Sequence, residues 1–109
     1  LLQNKLSDVK MRVSSDKDLI LTKKTAFSTN YPNPFSTSTT VDYYILKRVN
    51  TAKIIIYDTN GSTITTYQLK ERGMKSQLTI NKDKLKSGIY FYTMIADNVV
   101  IGTKKMIVK

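Results

Sequence analysis

Residues 85–109, LKSGIYFYTMIADNVVIGTKKMIVK, constrain the fold more than any other stretch of this chain. They read as an apolar run, an Asp97-Asn98 turn signal, and a second run closing on Met106-Ile107-Val108-Lys109. Side chains alternate along a strand, so Ile89, Phe91 and Thr93 share one face while Tyr90, Tyr92 and Met94 share the other. Both faces are largely apolar, which predicts a strand in the middle of a sandwich and not at its rim. The return strand, residues 99–108, is punctuated by Gly102 and carries Lys104 and Lys105 before the closing apolar residues. A chain end that is neither paired nor packed frays, so this strand is expected to be tied to its neighbour.

The rest of the inventory narrows the chemistry. A chain of 109 residues suits one domain with one core. It has no cysteine, histidine or tryptophan. Zinc and transition-metal sites therefore lose their best ligands, the commonest nucleophile and base pairs cannot be built, and no disulfide framework is in use. No catalytic residue, cofactor or metal is expected. No run approaches the ~20 apolar residues of a membrane-spanning helix. The chain opens on Leu1 and not Met, so the expectation is that it is the end of a longer protein whose preceding part holds any signal peptide. Eighteen Lys and Arg against eight Asp and Glu give a net charge of +10. That charge could attract polyanions, but the lysines are spread along the chain without the aromatic-basic signature of an RNA-binding sheet. A solvated basic surface is the preferred reading, and no nucleic-acid partner is expected.

In chain order, Leu2, Leu6, Val9 and Val13 recur at helical spacing, which predicts a helix over 1–13. Small and charged residues at 14–18 read as a linker, and Leu19-Ile20-Leu21 as a short added edge strand. Residues 1–25 are thus assigned to a linker and the tail of an upstream region, and residues 26–109 to a single β domain. Within FSTNYPNPF, residues 27–35, Pro32 and Pro34 fix their own φ and remove two amide donors, so a stiff irregular strand at a sheet edge follows, with Tyr31 and Phe35 packing inward. Residues 39–46 and 52–58 are rich in β-branched and aromatic residues and read as strands. Asn60-Gly61 signals a tight hairpin with positive φ at both residues. In the return strand over 63–69 the apolar parity changes between Ile64 and Tyr67, which predicts a bulge. Residues 77–80 form another short strand. Residues 81–88 have a helical-turn composition closed by Gly88, with Leu85 inward. About seven short strands at this spacing give an all-β, Ig-like antiparallel β-sandwich.

Other candidate sites read as structural. Asp58, Asp83 and Asp97 sit at separate turns and lack the dense oxygen spacing of a calcium loop. Tyr43, Tyr44, Tyr57, Tyr67, Tyr90 and Tyr92 could line a sugar-binding face, but cross-strand tyrosines more often stabilise a sheet and its core rim. Ser87-Gly88 lacks the preceding glycine and the histidine that a nucleophile elbow needs.

Four segments in order, Asn30-Tyr31-Pro32-Asn33-Pro34-Phe35, the run from Ile54 to Gly61, the run from Leu85 to Tyr92, and Lys104-Lys105-Met106-Ile107-Val108-Lys109, make the chain resemble the C-terminal sorting domains of type IX secretion cargo proteins, the type A kind of Bacteroidetes. The resemblance implies a seven-stranded sandwich that acts as an export label. It also implies a route through the periplasm and across the outer membrane to the cell surface or the medium. The partners implied are the outer-membrane translocon and its shuttle proteins, and a surface sortase that cleaves the domain, with cleavage expected within residues 14–27. Attachment of the cargo to anionic lipopolysaccharide is the further implication. As an isolated domain it is expected to be monomeric. Recognition is assigned to Lys104, Lys105, Val108 and Lys109, by strand addition or by capture of the chain end. Tyr31, Pro32, Asn33, Pro34, Gly61, Gly88 and Tyr90 are assigned to maintaining the fold. A flagellar hook-capping Ig-like domain shares the Asn-Pro-Phe and Gly-Ile-Tyr signatures, and a carbohydrate-binding accessory module is the third alternative.

Overall fold

The computed structural model describes residues 24–83 and 85–109. The expected helix over 1–13, the linker at 14–18 and the apolar patch at 19–21 lie outside the described residues. Among the described residues there are seven strands: β1 (Ala26–Phe27), β2 (Ser38–Tyr44), β3 (Ala52–Asp58), β4 (Thr63–Gln68), β5 (Lys75–Asn81), β6 (Gly88–Ala96) and β7 (Val99–Val108). They form two sheets, ordered β1-β2-β5 and β4-β3-β6-β7, and every pair of neighbouring strands is antiparallel. The expected all-β sandwich is therefore the observed one.

The core lies where the inner faces meet. β2 and β5 contribute Val41, Tyr43 and Ile80; β3, β6 and β7 contribute Ile54, Ile56, Tyr92, Met94, Met106 and Val108. Period-two alternation places these residues on one side of each strand, and each fully buried aliphatic side chain contributes about 1.5–3 kcal/mol of apolar transfer. β6 sits between β3 and β7, the central position that its composition predicted. Its two faces differ, however. Tyr90, Tyr92, Met94 and Ala96 are buried, whereas Ile89 is 45% exposed and Phe91 half-buried, because among the described residues no second layer covers that outer side.

Turn chemistry sets the registers. Asp97 and Asn98 take φ of 50° and 66°, the left-handed pair that a two-residue hairpin with the sheet's own twist requires. The Asn60-Gly61 expectation needs correction. Only Gly61 has positive φ, at 84°, and the loop is longer, closed by the Asp58 carboxylate accepting from the Asn60 and Ser62 amides at 2.9 and 3.0 Å. An aspartate at the loop's start offers the backbone a side-chain acceptor, which stabilises the wider turn. The predicted bulge is present: Ile56 faces Thr65 and Tyr57 faces Thr63, leaving Ile64 as the extra residue, 43% exposed. A second bulge interrupts β7, where Met94 faces Gly102 and Ile95 faces Val100, leaving Ile101 unpaired.

No helix occurs among the described residues of the segment between β5 and β6. Its chain reverses through a turn in which the Leu85 amide donates to the Lys82 carbonyl at 2.6 Å and Asp83 takes φ of 40°. That left-handed residue excludes a right-handed helical turn, yet Leu85 is inward as expected, 6% exposed.

Candidate functional site

β7 is an edge strand, and the residues expected to be read by a partner lie at its end. Their side chains do not form one patch. Lys104 is on the inner side of the sheet at the open flank of the sandwich, with Nζ 5.1 Å from the centroid of the Phe27 ring, a cation–π contact. Phe27 in turn meets Tyr92 edge-on, ring centroids 5.7 Å apart. Lys105 is exposed and faces the opposite way, opposite Phe91 in the register. Val108 is 2% exposed and belongs to the core, so its side chain is not presented to a partner. Lys109 is exposed, and its main-chain oxygen accepts from Lys82 Nζ at 2.9 Å.

The outer edge of this strand is already occupied by the segment 33–35. Asn33 Oδ1 accepts from the Ile107 amide at 2.9 Å, and Asn33 Nδ2 donates to the Lys105 carbonyl at 3.4 Å. The Phe35 amide donates to the Ile107 carbonyl at 3.0 Å, and the Lys109 amide to the Phe35 carbonyl at 2.8 Å. One asparagine side chain and one phenylalanine backbone thus replace a neighbouring strand from residue 105 to 109. This satisfies main-chain groups that an edge strand otherwise leaves open. Phe35 can hold this position because its own ring is buried, 1% exposed, while Pro32 and Pro34, both after cis peptide bonds, keep the loop out of any regular ladder.

The remaining fold-maintaining candidates have distinct places. Tyr90 is 8% exposed and its hydroxyl donates to the Lys86 carbonyl at 2.8 Å, bracing the turn that leads into β6. Gly88 pairs with Val108 at the start of that strand with φ of 151°, a conformation that L side chains rarely adopt. Tyr31 is a correction: it is 45% exposed and not an inward anchor. It bridges to Thr40, whose side of β2 faces solvent, and its hydroxyl donates to Asp42 at 2.8 Å and accepts from Gln77 Nε2 at 3.2 Å. The inward polar residue of this segment is instead Asn30, 3% exposed, which donates to Thr39 Oγ1 at 3.0 Å.

The aspartates hold turns, as their spacing implied. Asp97 Oδ1 accepts from both the Asn50 and Thr51 amides at 2.9 Å, fastening the β6–β7 hairpin to the start of β3. Among the described residues no group of three or more acidic side chains converges on a common point. The hydroxyls of Tyr43, Tyr57, Tyr90 and Tyr92 bond to groups of the fold itself. Tyr43 donates to Glu71 at 2.7 Å, and burial together with that carboxylate pushes its phenol up to about 12. Burial pushes Tyr92 up to about 12 as well, and its hydroxyl donates to the Ser28 carbonyl at 3.0 Å. Arg72 is a structural residue that the sequence does not signal. Its guanidinium donates to the carbonyls of Val49, Asn50 and Leu69 at 2.8–3.0 Å, tying together the two loops that cross between sheets. A lone arginine beside Gly73 carries no local signal of that role.

The family model described as "Secretion system C-terminal sorting domain" matches residues 29–109, from the segment that closes the β7 edge to the last residue. No curated protein and no solved structure matches the chain.

Proposed function

The chain belongs to the family of secretion system C-terminal sorting domains, and from that premise we propose that it is the export label of a cargo protein, of the type A kind found in Bacteroidetes. A sorting tail of type IX secretion implies interaction with that machinery and a destination at the cell surface or in the medium. In this reading the cargo crosses the periplasm, the outer-membrane translocon and its shuttle proteins recognise the folded domain, and a surface sortase cuts within residues 14–27. The cargo is then released or joined to anionic lipopolysaccharide. The observation that carries the reading is the extent of the family match, which covers all of β2 to β7 in a single run. A label common to unrelated cargoes must fold by itself and present the same surface each time, which a sandwich with a secured last strand can do.

Within the recognition set, Lys105 and Lys109 are the residues a partner would read. Lys104 contributes through its contact with Phe27, and Val108 by holding the strand in the core. Deleting residues 105–109 is a poor test, because it removes Met106 and Val108 from the core and confounds recognition with unfolding. Replacing Lys105 and Lys109 together by alanine leaves the core intact. The expected outcome is a cargo that retains its melting temperature yet accumulates inside the cell; normal secretion of the double variant would remove these two residues from the recognition surface.

A further inference from the structure

The two outward faces of the sandwich differ in chemistry. On the three-stranded sheet the outward residues Thr40 and Asp42 of β2 lie beside Thr79 and Gln77 of β5, all polar. On the four-stranded sheet the register places Ile55 and Tyr57 of β3, Ile89, Phe91 and Ile95 of β6, and Ile107 of β7 on the outward side. An antiparallel sheet with one solvated side normally alternates apolar-in with polar-out, as the first sheet does. The second face instead carries a strip of mostly half-buried apolar side chains, interrupted at Thr93. Tyr57 and Phe91 stack at 6.0 Å between centroids and 29° between planes, and a hydroxyl chain runs from Tyr57 through Thr93 to Thr103 at 2.8 Å per step. Ile89 beside them is 45% exposed. Patches of this kind on a sandwich mark an interaction surface.

Main-chain pairing at the adjacent edge is an unsuitable way to use that surface. The last part of β7 is closed by Asn33 and Phe35, and its first part is broken by the Ile101 bulge, a feature that opposes strand addition. At that edge a partner is left with the side chains of the face. Two cations border the strip: Lys53 opposite Ile95 and Lys105 opposite Phe91, neither in an ion pair or side-chain hydrogen bond among the described residues. We propose that the outward face of the four-stranded sheet is the docking surface for the export machinery. The component that fits it is a protein with an apolar centre against Tyr57, Phe91 and Ile89 and carboxylates that meet Lys53 and Lys105. This rests on the sorting function proposed above and assigns it a face. A second copy of the chain fits poorly, because stacking two such faces would oppose like charges in a chain of net charge +10.

The test fuses the whole 109-residue chain behind a passive periplasmic reporter in a host with type IX secretion. Export and melting temperature are measured for Ile89→Glu, Lys105→Glu, and Thr79→Glu on the polar face. The Ile89 and Lys105 variants are expected to melt within a few degrees of the parent while export falls by about tenfold or more, from buried or opposed like charge. Thr79→Glu is expected to export normally. Normal export of both face variants, or equal loss in Thr79→Glu, overturns the proposal. Should Ile89→Glu unfold, Lys105→Glu decides alone. Retention of the unmodified fusion would instead defeat the sorting function itself, and this proposal with it. Flotation of the chain with phosphatidylcholine–phosphatidylglycerol vesicles, lost in Ile89→Glu, would replace the protein partner by an anionic lipid surface and so also overturn it.

Discussion

Replacing Asn33 by alanine separates the closed-edge description of the last strand from one in which residues 33–35 merely pass nearby. Two contacts are lost: the 2.9 Å bond from the Ile107 amide to Oδ1, and the longer 3.4 Å bond from Nδ2 to the Lys105 carbonyl. A well-formed neutral hydrogen bond contributes about 0.5–1.5 kcal/mol net, and a 3.4 Å contact much less. Water reaches this edge and can replace the lost acceptor, so the cost should fall in the lower half of that range, about 0.5–1 kcal/mol. In a domain of this size that lowers the melting temperature by about 2–8 °C. Phe35→Ala, which empties a core site, should cost about 3–5 kcal/mol by comparison. The sharper assay is amide hydrogen exchange. The Ile107 amide should exchange about 2- to 5-fold faster in Asn33→Ala. Asn33→Asp keeps an acceptor for Ile107 but sets a second oxygen against the Lys105 carbonyl, so it should fall between the two. Unchanged Ile107 exchange and melting temperature in Asn33→Ala would refute the reasoning.

Two further outcomes follow from groups away from that edge. Tyr43 and Tyr92 keep their phenol protons to about 12 in the folded state, against an ordinary value of 10.0. Below that ordinary value both states hold the proton and stability does not change. Between the ordinary and the raised value the unfolded chain releases protons that the folded chain retains, so stability falls as pH rises through that window. Urea midpoints measured from about pH 8 to 12 should be level and then drop, less steeply in Tyr43→Phe; a level profile throughout would contradict the burial of these phenols. A Cβ added at Gly61 or Gly88 meets nothing within 4 Å, so alanine there tests backbone conformation alone. Thermal melts should show a cost of about 1–2 kcal/mol at Gly61 and about 1–3 kcal/mol at Gly88. No loss at Gly88 would mean that its φ of 151° is not required.

Much of this fold could be read from local pattern. The limits of β3 and β7 follow directly from alternation and turn residues. The central place of β6 follows from its apolar faces, and the bulge at Ile64 from a change of parity. What escaped was set by residues far apart in the chain. Asn33 acts as a stand-in strand for Ile107 across 74 positions, a relation that no window of sequence displays. An aromatic residue just before a proline resembles an inward anchor, whereas the bridge of Tyr31 to Thr40 directs it to the polar face. The helical composition of residues 81–88 gave way to a left-handed Asp83 because the segment has to deliver the chain from one sheet to the other. Of the recognition residues, Lys105 and Lys109 are where an exposed tail would put them. The burial of Val108 and the inward turn of Lys104 depend on which face of β7 meets the core. The β7 bulge at Ile101 sets that phase, and it was not anticipated.

The central claim is that this domain is by itself sufficient as an export address. The most direct measurement is the distribution of a passive, normally periplasmic reporter carrying these residues at its C-terminus, in a host with an intact type IX system and in a strain lacking the translocon. The account predicts reporter at the cell surface or in the medium of the first strain and none outside the second. A folded fusion that stays in the periplasm of both strains would contradict it.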